Sequence, residues 1–497
     1  MSERIPFNFE EQNPGAVWKH FAAISKLPRC SKNEAAVVHY AEEIARKNNH
    51  KIRKDSAGNL LITVPASSKK QQNPSVCLQS HLDMVCEKNE DVRHDFSKDP
   101  LKLFLEGEML FADGTTLGAD NGIGAAMMLA LAENYEGEHP ELELLFTVDE
   151  EAGMSGAFGI EDGFLGSKRL INLDTEDEGY ICIGCSGGME TELSLKMKRI
   201  RVSDLLSIEN KNKAKPEKLT ALRMDIKNLR GGHSGLNIHL GRANAVKLLG
   251  RFLKKISENH DVFVSSLGGG RARNAIPREA YAEILCEVVD SVKSILEKEM
   301  AAVQKEYSGI DDRAALEISE IHADHIYSME DSGRIIDLIN TIPAGVISMS
   351  SQMPDLVETS TNPGILKMEN DTVILGCLTR SSKKTEQKKT VDLLADTGAI
   401  FGFQARHFGE YPPWEYNLDS KLLNDVLAIY KNRLGSQPKT IAVHAGLETG
   451  IIGEKFPGMD MISLGPDIFF PHSPREHVSV QSVERVWNEL TVILEHL

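Results

Sequence analysis

The sequence predicts an α/β domain that is interrupted by a smaller, inserted α+β domain. Three observations lead to this prediction. The chain has 497 residues, more than one ordinary hydrophobic core organises. Apolar runs alternate with amphipathic helical stretches near both ends, whereas the middle of the chain has a different pattern of apolar and polar residues. We place the interrupted domain at residues 1–187 and 404–497 and the inserted domain at residues 188–403.

The interrupted domain begins with two amphipathic helices and continues with strands. Apolar side chains recur at helical spacing between residues 13 and 48. Residues 51–53 and 60–64 alternate like paired strands, and Gly58-Asn59 provides the break between them. Three apolar runs then predict buried strands, at 75–80, 142–148 and 170–173.

The inserted domain shows two similar α+β units. Its predicted elements are a strand, a turn and a helix at 219–226, 231–235 and 241–258, followed by a strand and a helix at 372–380 and 385–397. We interpret this similarity as a similar order of secondary-structure elements and not as a sequence repeat. The α/β texture returns after residue 403, so the C-terminal segment is predicted to complete the first domain.

Composition argues against several classes of protein. A formal charge of −17 disfavours nucleic acid as a partner, and the Lys-rich piece at 211–215 is predicted to be a solvated loop. The N-terminus has no apolar h-region, and the longest apolar stretch, 124–132, is too short to span a membrane. Seven thinly spread cysteines predict reduced thiols in a cytoplasm. The C-x-x-C pair of Cys182 and Cys185 lies in a strand-like run, which favours a structural role.

Three consecutive acids, Asp149-Glu150-Glu151, follow the second apolar run directly. Neighbouring carboxylates repel one another, and removing an unpaired one from water costs several kcal/mol. A cation is therefore predicted among them. Taken alone, such a triplet is more typical of a solvated acidic turn, so the prediction of a cation depends on the rest of the chain.

Other potential metal ligands follow the remaining strands. His81 ends the first apolar run, and Asp83, two residues later, can orient its imidazole. Asp174 follows the third run. Asp120 precedes a glycine-rich helix and can both cap it and bind a metal, because a carboxylate has two oxygens. Carboxyl ends of parallel strands meet at the ligand-binding edge of a sheet. The repetition at several strand ends, more than any one residue, indicates a site.

These residues form a ligand set for two divalent cations. The set contains three carboxylates and two imidazoles: His81, Asp120, Glu151, Asp174 and His472. One bridging carboxylate in such a set suits two ions of the zinc, cobalt or manganese type. Two-metal sites hydrolyse amide or ester bonds through an activated water. Glu150, beside a ligand but not needed as one, is well placed to be the general base.

Five ordered motifs of this chain resemble those of the M20 metallopeptidases, most closely their aminoacyl-histidine dipeptidases. The motifs are His81-Leu82-Asp83, Gly118-Ala119-Asp120-Asn121, Asp149-Glu150-Glu151-Ala152-Gly153, Asn172-Leu173-Asp174 and His472-Ser473-Pro474-Arg475-Glu476. The resemblance runs nearly end to end. It implies a zinc-peptidase-type catalytic domain, with a mixed sheet flanked by helices, and an inserted lid domain.

The resemblance also implies a role for each ligand. His81 and Asp174 would hold one metal, Glu151 and His472 the other, and Asp120 would bridge them. Zinc is the expected ion, with cobalt or manganese as alternatives. The peptide bond after Asp120 is expected to be cis, as it often is in relatives.

Five further residues receive catalytic or substrate-binding roles from the same resemblance. Asp83 would brace the first histidine, and Glu150 would activate the water and return its proton to the leaving amine. His233, in a Gly-His-Ser loop, would stabilise the oxyanion. Asn274 and Arg380 would bind the backbone or the carboxylate of the substrate.

The predicted function is metal-dependent hydrolysis of dipeptides, Xaa-His and broader, by a cytoplasmic enzyme that we expect to be a homodimer. Nucleic acid and membranes are not expected partners. Other M20 activities share the metal ligands: a tripeptidase, a carboxypeptidase or an N-acyl amino acid deacylase. A catalytically silent peptide-binding protein of the same fold is the alternative from another class, and the complete ligand set with Glu150 argues against it.

Overall fold

The computed structural model describes residues 4–204 and 219–497, so the Lys-rich piece at 211–215 lies outside the described residues. The chain divides into two units. The first unit comprises the chain up to Cys185 together with Trp414–Ala442 and Leu447–Leu497. The second unit comprises Ser186–Pro413 and Val443–Gly446.

Both units contain strands and helices. Up to Cys185 they are β1 (Arg4–Pro6), α1 (Gly15–Ile24), α2 (Ala35–Lys47), β2 (Lys51–Lys54), β3 (Leu60–Val64), β4 (Val76–His81), β5 (Leu103–Glu106), β6 (Met109–Ala112), α3 (Ala119–Asn134), β7 (Leu142–Thr147), α4 (Ser155–Gly159), β8 (Arg169–Asn172) and β9 (Tyr180–Cys185). From Gly187 to Tyr411 they are β10 (Gly187–Lys196), β11 (Ile200–Arg201), β12 (Thr220–Lys227), β13 (Gly232–His233), α5 (Ala245–Ser257), β14 (Phe263–Gly269), β15 (Ala275–Ile276), β16 (Ala280–Cys286), α6 (Val289–Glu306), β17 (Ala315–Ile321), β18 (His325–Ile326), α7 (Met329–Thr341), β19 (Gly345–Met349), β20 (Val357–Glu369), β21 (Thr372–Ser381), α8 (Lys384–Ile400) and β22 (Gln404–Tyr411). The remainder contains α9 (Lys421–Ile429), β23 (Lys439–Val443), α10 (Glu448–Lys455), β24 (Asp460–Ser463), β25 (Ile468–Phe469), β26 (His477–Ser479) and α11 (Val480–His496).

The first unit is built on a mixed sheet whose order is β2-β3-β7-β4-β8-β24-β9-β23. β4 runs parallel to both β7 and β8, and β24 runs parallel to β8. Every residue of β4 and β7 is buried. This explains why both strands appear in the sequence as continuous apolar runs and not as alternating ones. Their parallel direction brings the ends of β4, β7 and β8 to one edge of the sheet.

Helices cover this sheet, as the periodicity predicts. Val17, Phe21 and Ile24 of α1 are fully buried in the core of the first unit, and Val37 and Ala41 of α2 belong to the same core. A second sheet, β1-β5-β6-β26-β25, lies in the same unit. Its last two strands pair with each other and enclose the loop at 470–476.

The second unit is built on one antiparallel sheet of order β17-β12-β16-β14-β20-β21-β10-β22, with β19 beside β20. The Cα partners between β14 and β20 are a single pair, Gly269 and Leu366, so two better-paired halves meet there. Leu249 and Phe252 of α5 and Leu394 of α8 pack into the core of this unit.

The domain boundary predicted at residue 403 needs correction. Strand β22, from Gln404 to Tyr411, pairs with β10 along most of its length and therefore belongs to the second unit. The sequence offered no apolar alternation there, because β22 is an edge strand with mostly exposed side chains.

The prediction that all cysteines are reduced is wrong for one pair. Cys30 and Cys86 form a disulfide, with their Cα atoms 5.7 Å apart. Cys30 pairs with Met84 in an isolated β-bridge, which brings together two segments that are distant in sequence. Cys182 and Cys185 are buried in β9 and form no disulfide, and they lie in a strand as the strand-like run predicted. Within the described residues, no helix is long and apolar enough to cross a membrane.

Candidate metal centre

The ends of three parallel strands bring the predicted ligands of the first unit together. His81 is the last residue of β4, Asp149-Glu150-Glu151 follows β7, and Asp174 lies two residues beyond β8. Asp120 lies in the first turn of α3 with non-helical backbone angles, and the bond from it to Asn121 is cis, as the resemblance implies. The loop between β25 and β26 carries His472.

The two oxygens of Asp120 face two different histidines. Oδ1 lies 3.1 Å from Nε2 of His81, and Oδ2 lies 3.1 Å from Nε2 of His472. Each histidine has a second carboxylate beside it: Asp174 Oδ1 is 3.4 Å from His81 Nε2, and Glu151 Oε2 is 3.0 Å from His472 Nε2. Two groups of potential ligands therefore share Asp120. Both oxygens of Asp120 point to imidazoles.

The charges of this cluster favour cations. In the described part of the chain, the ion pairs of Asp120, Glu151 and Asp174 are made with the two histidines. Hydrogen bonds that His472 donates to the carboxylates of Asp120 and Glu151 raise the pKa of His472 to about 11, so positive charge is strongly favoured beside them. Oε1 of Glu151 is buried without a hydrogen-bond partner among the described residues. Carboxylate and imidazole donors of this kind suit zinc, cobalt or manganese.

Glu150 lies in the same cluster. Its ligand atoms come within 4.8 Å of those of His81 and Glu151, which makes a third possible metal group. Burial raises the pKa of Glu150 well above its usual range, and the neighbouring Asp174 and Glu151 add to that effect. A carboxyl group with a raised pKa can take up and release a proton near neutral pH, which is the requirement for a general base.

Asp83 supports the ends of β4 and β7 at the same time. Its Oδ1 lies 3.3 Å from Nδ1 of His81 and accepts the backbone N–H of Glu150 at 3.0 Å. Its Oδ2 accepts the N–H of Glu151 at 3.1 Å and the hydroxyl of Ser31 at 2.7 Å. Asp83 thus orients the imidazole as predicted, and Ser31 is a supporting residue that sequence reasoning missed.

The second unit brings together three of its predicted site residues. Nη2 of Arg380 lies 3.3 Å from Nε2 of His233, and Nη1 donates to the hydroxyl of Tyr411 at 2.6 Å. Asn274 lines the same cavity as Arg380 and Tyr411, with a volume of about 450 Å³. Tyr411 was not predicted, because an exposed edge strand gives no signal of a buried hydroxyl contact.

His233 has its ring orientation set by its own loop. The backbone N–H of Leu236 donates to Nδ1 at 3.0 Å. This contact fixes the plane of the imidazole ring. Nε2 of His233 and the guanidinium of Arg380 then lie side by side. Such a pair favours an anionic oxygen.

Glu448, at the start of α10, is another buried carboxyl group that the sequence did not reveal. Its Oε2 accepts hydrogen bonds from Nε2 of Gln79 at 2.7 Å and from the hydroxyl of Thr147 at 2.5 Å. Oε1 has no partner among the described residues. Burial raises the pKa of Glu448 from about 4.5 to about 8.

Replacing Glu448 with Gln is expected to stabilise the metal-stripped protein more at pH 8 than at pH 5. The folded state binds the proton of Glu448 more tightly than the unfolded chain does. This contribution to wild-type stability is complete below about pH 4.5 and is lost as the pH rises through about 8. Glutamine does not titrate. The measurement is thermal unfolding with a chelator at both pH values; the same difference in Tm at both would contradict the expected proton uptake.

The family follows from a comparison of the whole chain with known proteins. A model of peptidase family M20/M25/M40 matches residues 77–496. The chain belongs to this family. The resemblance found in the motifs is thereby confirmed, and so is the α/β fold with an inserted α+β domain.

Two relatives match this M20 peptidase over almost its full length. It is 37% identical over 488 residues to the cytosol non-specific dipeptidase of Escherichia coli (strain K12), covering 98% of both chains. Its structure matches that of aminoacylhistidine dipeptidase from Vibrio alginolyticus with a TM-score of 0.86, at 36% identity and 98% coverage of both chains. Aminopeptidase PepT from Bacillus cereus shares the fold at 14% identity, with a TM-score of 0.55 and coverage of 98% and 99%.

Proposed function

We propose that this M20 peptidase hydrolyses the peptide bond of dipeptides, Xaa-His among them, with the help of two divalent cations. One observation carries the proposal: the carboxylate of Asp120 faces both His81 and His472, and each histidine has its own second carboxylate. The names of the two full-length relatives, both dipeptidases, support the substrate class.

In this proposal the metal ligands are paired as the family resemblance implies. His81 and Asp174 would hold one ion, Glu151 and His472 the other, and Asp120 would bridge, with zinc as the favoured metal. When bound, such ions polarise the scissile carbonyl and lower the pKa of the attacking water.

Glu150 is proposed to move the proton. Its carboxylate would take a proton from the attacking water and return it to the nitrogen of the leaving amine. A single group can do both when its pKa is raised towards neutrality, and burial acts on Glu150 in that direction. Asp83 would hold the backbone N–H groups of Glu150 and Glu151 and so keep the base in place.

The second unit is proposed to bind two negatively charged groups: the oxyanion of the tetrahedral intermediate and the terminal carboxylate of the dipeptide. His233 would donate from Nε2 to the oxyanion of the tetrahedral intermediate. Arg380 would bind the terminal carboxylate of the dipeptide, and Asn274 its backbone; both line one cavity. A carboxylate held at this point would restrict substrates to short peptides.

Replacing Arg380 with Ala is expected to raise KM for dipeptides by about ten- to one-hundred-fold, because a charge-assisted hydrogen bond contributes about 1.5–3 kcal/mol. For dipeptide amides, which lack the terminal carboxylate, KM should rise much less. The measurement compares KM for a dipeptide and its amide in wild type, Arg380→Ala and the control Arg406→Ala, an exposed arginine of β22. An equal rise in KM for both substrates would remove Arg380 from this role.

We also propose a cytoplasmic location, which is supported by the name of the Escherichia coli relative, a cytosol non-specific dipeptidase. The expected homodimer stays a prediction.

A further inference from the structure

Glu476 binds the backbone of the segment that carries Asp120. Its carboxylate, 2% exposed, accepts four consecutive backbone N–H groups. Oε2 accepts from Leu117 at 2.8 Å and Gly118 at 2.9 Å, and Oε1 accepts from Ala119 at 2.7 Å and Asp120 at 3.3 Å. N–H groups at the start of a helix have no partner within the helix, and a carboxylate satisfies them well.

Glu476 also belongs to the loop that carries His472. Both residues lie between β25 and β26, and the backbone N–H of Glu476 donates to the carbonyl of Ser473 at 2.9 Å. One carboxylate therefore connects two segments, each of which contributes a proposed ligand. The segments are more than 350 residues apart in the sequence, as the separation of 356 between Asp120 and Glu476 shows.

Arg29 connects a second pair of segments, through backbone carbonyls and not through N–H groups. Its guanidinium, 2% exposed, donates from Nη1 to the carbonyls of Leu82 and Asp83, both at 3.2 Å, and from Nη2 to the carbonyl of Gly118. It therefore joins the segment of His81 to the segment of Asp120. Burial lowers the pKa of Arg29 to about 10, and Glu476 is the largest opposing influence, so the guanidinium is charged at neutral pH.

Two glycines of the sequence motif make room for this guanidinium. A Cβ atom at Gly122 would lie 2.7 Å from Nη2 of Arg29, and one at Gly118 would be closer still. Gly118 also has a positive φ of 65°, which favours glycine. The group that approaches the backbone closely at both glycines is Arg29.

We propose that Arg29 and Glu476 are positioning residues, which together hold the segments of His81, Asp120 and His472 so that Asp120 faces both histidines. The proposal rests on the proposed two-metal function. Neither side chain is placed as a ligand. Burying two charges is a costly way to stabilise a loop, and the backbone groups that they bind all adjoin proposed ligands.

The test is Glu476→Gln, prepared with cobalt in place of zinc. One amide oxygen cannot accept four N–H groups, so the segment of Asp120 should shift. We expect about ten-fold or weaker metal affinity in competition with a chelator, an altered cobalt absorption spectrum, and a fall in kcat of about ten-fold or more with little change in KM.

The matched control is Glu143→Gln. Glu143 is also a buried glutamate that holds backbone N–H groups, those of Gly166 at 2.9 Å and Ser167 at 2.8 Å, but it lies at the opposite end of β7 from the acid triplet. A purely structural loss should lower Tm in both variants. Only Glu476→Gln should change the cobalt spectrum and the metal affinity.

The second variant, Arg29→Lys, keeps the charge but replaces the two donating nitrogens of the guanidinium, Nη1 and Nη2, with a single one, so the same changes in spectrum and affinity are expected. A wild-type spectrum and affinity in a folded Glu476→Gln or Arg29→Lys protein would overturn the proposal, as would equal changes in Glu143→Gln. The spectrum and the affinity are read without substrate. They therefore test the positioning residues even when the dipeptidase assignment itself fails.

Discussion

Glu150→Gln is expected to abolish dipeptide hydrolysis while leaving the bound metal in place. A positioned general base contributes about 10²–10⁴-fold to the rate, and glutamine can neither take up nor return the proton. Glutamine matches glutamate in shape, so the buried cluster around residue 150 should keep its geometry. The measurement is kcat for a dipeptide on zinc-loaded protein, together with the metal content per chain by elemental analysis.

Glu151→Gln is the matched comparison, because it changes the neighbouring residue in the same way. Glu151 lies 3.0 Å from Nε2 of His472 and is placed as a ligand, so this variant should lose metal as well as activity. Metal loss in Glu150→Gln of the same size would contradict the assignment. Glu150 would then belong to the third group of potential ligands, with His81 and Glu151, and another base would be needed.

Removing the metal ions is expected to abolish activity and to lower Tm. A ligand that binds only the folded state stabilises it by about 2.7 kcal/mol at one hundred times its Kd. In addition, Asp120, Glu151 and Asp174 lie close together and would repel one another without cations between them. The measurement is thermal unfolding and dipeptide hydrolysis before chelation, after chelation and after zinc is restored. An unchanged Tm and full activity after verified metal removal would contradict the proposed centre.

The sequence was sufficient to name the candidate ligands because the sheet brings the ends of its parallel strands together. His81, Glu151 and Asp174 each follow an apolar run, and parallel strands β4, β7 and β8 end at one edge. These residues can therefore be predicted to lie close together although they are far apart in the sequence. The family resemblance added the cis bond after Asp120, and the structure contains this bond.

The supporting residues were not predictable in this way. Arg29 and Glu476 act through backbone carbonyls and N–H groups of distant segments, and backbone groups leave no trace in a residue pattern. The disulfide of Cys30 and Cys86 was missed for a similar reason, since only the fold brings the two segments together. An exposed edge strand, β22, also lacks the alternation that reveals buried strands, and so the domain boundary was misplaced.

The most direct test of the proposed function is hydrolysis by metal-stripped protein, with and without added zinc, of a panel of substrates. The panel contains dipeptides including Xaa-His, tripeptides and N-acetyl amino acids. We predict zinc-restored cleavage that is confined to dipeptides. Cleavage of tripeptides or acetylated amino acids instead would move the chain to another M20 activity, and no cleavage of any substrate with both metal ions bound would contradict the assignment as an enzyme.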